Sequence, residues 1–248
     1  MPASGTSSVT AHAAIHPLLW RGSQLARAGR PGLDTGHAGL SRHLPGGGWP
    51  LGSLTELLLA RPGLGEVRLL LPALRRLPAR RSIVLLHPPH LPCAQAWLAH
   101  RFPASQLLWV APPQAADALW AAERILQHGS CGALLYWADR PHATALRRLH
   151  LAAQGSDTAF FMFRHADAAR SSSPSPLRLL LQPAGDHLSV TILKRRGPRH
   201  DTPLLLPLAA TSPVPASGIP SSEPRHAFVD QRLSDAAQPR RPEPALAG

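Results

Sequence analysis

Lysine is almost missing from this chain: of 26 basic residues among 248, Lys194 is the one that is not arginine. Acidic residues are few as well, 14 in all, which leaves a formal net charge of +12. A surface this basic attracts polyanions or acidic protein partners. No dense basic run concentrates the charge, so an ordinary solvated basic face is the bland alternative. Cysteine is limited to Cys93 and Cys131. Two thiols make no disulfide framework, and their scarcity fits a reducing cytoplasm. No apolar run approaches the ~18–20 residues of a membrane span, so no membrane contact is expected. Met1 to His16 lacks the basic flank and apolar stretch of a secretory signal. Also missing are a Gly-x-Ser-x-Gly elbow, any evident Ser/His/Asp arrangement and any internal repeat. Asp117 and Glu123, six residues apart on a helix, point to different faces and make poor acid–base partners.

What is present is an alternation of strand and helix patterns. The apolar share of 44% and the length allow one α/β domain with a sizeable core plus an extra segment. Residues 53–59 (SLTELLL) read as a strand, followed by a glycine-containing turn and a helix over 66–77. Further strands fall at 82–86, 107–111, 133–137 and 158–163, with helices over 94–101, 114–128 and 143–154. Residues 177–182 and 188–193 flank Pro183-Ala184-Gly185-Asp186 and read as a β-hairpin. Short connections between alternating elements imply a mostly parallel sheet covered on both faces. Residues 1–30 are expected to be a helical N-terminal segment, with Leu18, Leu19, Trp20 and Leu25 near one stripe; 31–200 form the core. Residues 201–248 are expected to be a mostly disordered tail, because a Pro-, Ser- and Ala-rich stretch buries too little to offset its ordering entropy. Within that tail Phe228, Val229 and Leu233 form a short apolar cluster suited to ordering on a partner.

In open α/β sheets ligands bind at the carboxyl ends of the strands. The first such place is 53–71, which has the layout of a phosphate-binding loop: apolar strand, glycine turn, amphipathic helix. A working GxxxxGK[ST] loop needs a Lys to neutralise the outer phosphates and a hydroxyl to hold magnesium. Laid over 60–67 (ARPGLGEV), the first Gly falls on Ala60 and the second on Gly65; the Lys falls on Glu66 and the Ser/Thr on Val67, with Gly63 as the additional turn glycine. At ~4 Å and an effective dielectric of about 20, a carboxylate facing phosphate is repulsive by several kcal/mol. The expectation is therefore no catalytic residues, no cofactor and no enzyme.

The preceding segment makes the pattern more specific. It reads Thr35-Gly36, Leu40, Gly46-Gly47-Gly48, Pro50-x-Gly52 and Thr55-Glu56. This arrangement resembles the RecA recombinases, and within that superfamily the Leu-Pro-Gly-Gly-Gly-Trp-Pro turn before a degenerate loop looks most like the ImuA family. The resemblance covers about residues 16–200. It implies a RecA-like three-layer α/β fold with a mostly parallel central sheet and a C-terminal β-hairpin. It also implies that the strand after the loop helix should end in a carboxylate, yet 82–86 runs into His87-Pro88-Pro89-His90. The Walker B strand at 133–137 should end in Asp, yet Ala138 follows and Asp139 comes one residue late. His87, His90 and Cys93 have metal-ligand side chains, but the prolines between them make a structural turn the expected reading and no metal is assigned. By the same resemblance the partners are RecA, the polymerase homologue ImuB and, through it, an error-prone polymerase, in a non-catalytic role in SOS mutagenesis and translesion synthesis. Arg164, Arg170 and Arg178 around the 166–176 loop, with Lys194, Arg195 and Arg196 after the hairpin, are candidates for partner contact or weak DNA binding. The alternatives are a SulA-type cell-division inhibitor and an ATP-dependent RecA-like recombinase.

Overall fold

The computed structural model describes residues 31–208. The expectations for the N-terminal segment and for Phe228, Val229 and Leu233 lie outside the described residues. Eight strands form one sheet: β1 (Ser53–Leu59), β2 (Ile83–Leu86), β3 (Leu107–Val110), β4 (Ala133–Trp137), β5 (Ala159–His165), β6 (Leu177–Ala184), β7 (His187–Lys194) and β8 (Leu204–Pro207). Their order is β3-β2-β4-β5-β1-β6-β7-β8. Pairs among the first six are parallel, while β7 runs antiparallel to both β6 and β8. The helices are α1 (Ala38–Ser41), α2 (Glu66–Leu74), α3 (Ala94–Ala99), α4 (Ala115–His128) and α5 (Ala143–Gln154). Among the described residues no helix is long and apolar enough to cross a membrane.

The strands read as unbroken apolar runs because both faces of the sheet are covered. Successive side chains alternate between two cores. Leu57, Leu85, Leu135 and Phe161 pack on one face with Leu69, Leu70 and Leu74 of α2 and Trp97 of α3. Leu54, Val84, Leu134 and Phe160 pack on the other with Ala118, Ala122 and Leu126 of α4 and Leu146 and Leu149 of α5. The result is a three-layer α/β arrangement. The glycine-rich entry is part of the first core: Leu33 and Trp49 exchange backbone hydrogen bonds (2.8 and 2.7 Å), and Trp49 is fully buried edge-on to Phe161 at 5.3 Å. Gly36 lies so close to α2 that a Cβ there would sit 2.2 Å from the Pro72 Cβ.

Several boundaries differ from the sequence expectation, each for a local reason. The helix begun at Glu66 ends at Leu74, short of Leu77, because Leu77 precedes Pro78 and such a residue is pushed out of the helical region. The α3 helix ends at Ala99, and Arg101 takes a left-handed φ of 65° that stops it. The hairpin turn shrinks to Gly185-Asp186, since β6 runs on through Pro183. The β1–β6 ladder ends at Leu181, so Pro183 has no bond to donate on that side. The largest correction concerns the tail. Residues 204–207 are not part of it but form β8, paired through Val190–Leu204 and Leu188–Leu206, with Leu206 buried. The core therefore extends past residue 200.

Candidate functional site

The turn after β1 needs glycine twice: Gly63 has φ 85° and Gly65 has φ 100°, values that side chains with a Cβ rarely adopt. Glu66 then opens α2 and bends back over the turn. Its carboxylate accepts the Gly63 N–H at 2.9 Å (Oε1) and 3.1 Å (Oε2), and the residue is 4% exposed. A phosphate-binding loop offers such N–H groups to its ligand; here a side chain of the loop itself takes the bond. Val67, which the motif alignment sets against a hydroxyl residue, packs against the apolar core. The chain leaving β8 lies over the same turn. Arg68 donates to the Leu208 carbonyl at 3.1 Å, and a Cβ on Gly65 would be 2.3 Å from Leu208 Cδ1.

Beside this turn a cleft of about 240 Å³ opens at the carboxyl ends of β1, β2, β4 and β5. The strand exits diverge there: β1 and β2 feed α2 and α3 on one face, and β4 feeds α5 on the other. That divergence is where open α/β sheets place ligands. Leu59, Pro62, Trp137 and Phe163 supply apolar walls; Arg61, His87, Asp139, Arg164 and His165 supply polar ones. Trp137 and Phe163 stack at 4.5 Å with an interplanar angle of 27°. His87, where the resemblance implies an acid, holds a left-handed φ of 51°, with Nδ1 3.4 Å from the Trp137 carbonyl oxygen. Asp139 is exposed at the rim.

The sequence reading missed a buried charge cluster behind this cleft. Glu56 is 0% exposed, and its Oε2 accepts from Arg178 Nε at 2.9 Å and Arg164 Nη1 at 3.2 Å, while Ser173 donates to Oε1. Arg178 also donates to the carbonyls of Ser171 (2.9 Å) and Ala168 (2.6 Å), tying the 166–176 segment to the sheet. Arg164 and Arg178 are thus corrected from surface contacts to interior ion-pair partners, with side chains 9% and 7% exposed. The signal was available: each strand carries one charge in an apolar run, and a buried charge requires a partner.

The other candidate cations stand apart from the cleft. Arg170 and Arg196 are exposed, and Lys194 donates to the Ser173 carbonyl at 2.7 Å. Arg195 is partly tied down, donating to the carbonyls of Pro198 (2.7 Å) and His43. Their field reaches neighbouring imidazoles. Burial chiefly, then Arg196 and Lys194, lower the pKa of His150 below its ordinary value. Burial, then His200, Arg195 and Arg42, do the same to His43, which stacks on His200 at 4.0 Å. Among the described residues no three His, Cys, Asp or Glu side chains converge on a point that could hold a metal, and His87, His90 and Cys93 are no exception. No family model matches the sequence, and no curated protein matches it significantly.

Proposed function

We propose that this chain is a RecA-like protein of the ImuA type that has given up nucleotide chemistry and works as a non-catalytic accessory factor in damage-induced translesion DNA synthesis. Its partners on this reading are RecA and ImuB, and through ImuB an error-prone polymerase. The observation that carries the proposal is the Glu66 carboxylate, which takes the Gly63 N–H that a phosphate would otherwise receive. A triphosphate would have to displace it and then face it, at a cost of about 4 kcal/mol for charges ~4 Å apart at an effective dielectric of 20. Leu208 over Gly65 adds a steric obstacle. The RecA-like assignment draws support from the motif before β1, whose Thr35, Gly36 and Trp49 are packed parts of one folded unit. Further support comes from the placement of β1 inside a mostly parallel sheet with the degenerate loop at its carboxyl end. Such a fold can keep the surfaces by which subunits stack while losing control by ATP.

Two measurements test this. Titration with ATP, with and without magnesium, is expected to give no binding in the low micromolar range; hydrolysis at a rate tied to the protein would overturn the non-catalytic reading. A pull-down scored against RecA, ImuB and the tubulin-like division protein is expected to recover the first two. Recovery of the division protein alone would move the assignment to a SulA-type inhibitor.

A further inference from the structure

A helix that covers a sheet ordinarily spends its apolar stripe on the core and turns a polar face to water. Helices α4 and α5 depart from this, for Trp120 and Leu151 stand 61% and 63% exposed on them. Between the two helices lie two cavities of about 280 and 460 Å³. Glu123 and Arg148 line both and form an ion pair across the helices, so the cavities are two halves of one groove. In the first half Ala116, Leu119 and Trp120 meet Ala145 and Leu149; in the second, Gln127 meets Leu151 and Ala152.

These positions recur at spacings of three and four along each helix, the rows that form ridges and grooves between packed helices. Ala116, Ala145 and Ala152 keep the groove open, and Trp120 and Leu151 flank it near opposite ends. At 1.5 Å per residue, Ala116 to Gln127 spans about 17 Å, the length of roughly three helical turns. A groove of this shape takes the apolar stripe of a third helix.

Charge selects which helix. Arg148 is 67% exposed and its partner Glu123 only 18%, so the pair turns its cation to the solvent. Arg124 lies over the Trp120 ring at 5.7 Å, and Arg147 is exposed one turn before Leu151. Helix α5 carries no acidic residue, and the acids of α4 are Glu123, already paired, and Asp117 in its first turn. A second copy of this chain would set these arginines against themselves, in a molecule with a formal net charge of +12. An acidic occupant is matched to them.

We propose that the α4–α5 groove is the docking site for an acidic amphipathic helix of a partner protein, with its apolar stripe between Trp120 and Leu151 and its carboxylates on Arg124, Arg147 and Arg148. This goes beyond the assignment of RecA and ImuB and does not depend on it.

The test uses the full chain and a fluorescein-labelled synthetic helix of about three turns, with leucines on one stripe and glutamates beside it, read by fluorescence anisotropy. A hydrocarbon staple on its far face removes the cost of ordering the peptide, so its binding reports on the groove. Saturable binding is expected, about tenfold weaker when lysines replace the peptide's glutamates and lost when its leucine positions are scrambled. Trp120→Ala and Leu151→Ala should each weaken it about tenfold. Both side chains are mostly in water, and an unchanged urea midpoint checks that the fold is intact. Arg147→Glu should weaken the acidic peptide and strengthen the basic one, an exchange that a loss of fold cannot produce. No binding, equal affinity for the two peptides, or indifference to both alanine variants would each overturn the proposal. A dimer in sedimentation that Trp120→Ala abolishes would overturn it in favour of a second copy. Binding of an oligothymidylate that Trp120→Ala weakens while leaving the peptide unaffected would make Trp120 a stacking platform for nucleic acid instead.

Discussion

Two glutamates bracket the turn after β1, ten positions apart, and both are buried, yet their surroundings differ in kind. Glu56 lies mid-strand and is neutralised by two arginines from the flanking strands β5 and β6. Glu66 heads a helix and has the Gly63 N–H as its hydrogen-bonding partner, in a place where the helix dipole also favours a negative charge. The first carboxylate is matched by charges that cannot leave without unfolding the sheet. The second is held at a helix start by a backbone N–H, a group that would serve another anion equally well. Burial alone therefore does not distinguish an acid locked in an ion pair from one held by backbone groups; the identity of the partner does.

The sharpest way to break the comparison is Glu56→Gln. It leaves Arg164 and Arg178 buried without a full negative charge, and losses of about 3–5 kcal/mol are typical for one-sided removal. Urea unfolding should show that drop; a change below ~1 kcal/mol would mean that the pair is solvated and the contrast with Glu66 empty. Replacing Glu56, Arg164 and Arg178 together by apolar residues of similar volume should recover most of the loss.

Glu66→Gln is the counterpart and should cost less, about 1–2 kcal/mol, since a neutral amide oxygen can still accept one bond from Gly63. Its informative readout is binding. Glu66→Lys combined with Val67→Ser restores the cation and the alcohol that a triphosphate and magnesium require. That variant should bind magnesium–ATP more tightly than the parent, more so once Leu208→Ala opens the approach to Gly65. Failure of the combined variant to bind would place the defect in the turn backbone and not in its charge.

The same contrast explains what could be read from the residues. The helix start at Glu66 was legible because the strand, the glycine turn and the helix lie within one continuous segment. The Gly46-Gly47-Gly48 turn carries a steric demand of its own: a Cβ on Gly48 would meet the Leu33 carbonyl oxygen at 2.3 Å. Gly48→Ala is accordingly expected to cost about 1–3 kcal/mol through overpacking against Leu33, measurable by the same unfolding curves. Arg164 and Arg178 were not legible as partners of Glu56 because the meeting of the three depends on strand order. Arg164 and Arg178 lie more than 100 residues from Glu56 in sequence, and nothing local says that β5 and β6 flank β1. The strand at 204–207 was missed for a related reason. Four residues amid prolines look like tail until β7 supplies an edge to pair with.

The smallest effect asks whether β1 is fixed at its first residues as firmly as at Glu56. His150 of α5 accepts the Leu54 N–H at Nδ1, 3.3 Å away, which requires an unprotonated nitrogen. Burial first, then the charges of Arg196 and Lys194, hold its pKa below the ordinary value of 6.5. The unfolded chain, with the higher pKa, takes up the proton first as pH falls. The contribution of His150 is therefore present above about pH 6.5 and is lost as pH drops through the lower folded value. His43 and His100 are shifted in the same direction, chiefly by burial, and add to the trend. Stability should decline between pH 7 and 5, and His150→Gln should flatten part of that slope while leaving the response to Glu56→Gln unchanged. An equal slope in the variant would show that Leu54 does not depend on the imidazole, and that the Ser175 hydroxyl on its carbonyl (2.7 Å) and the ion-paired middle of the strand suffice to hold β1.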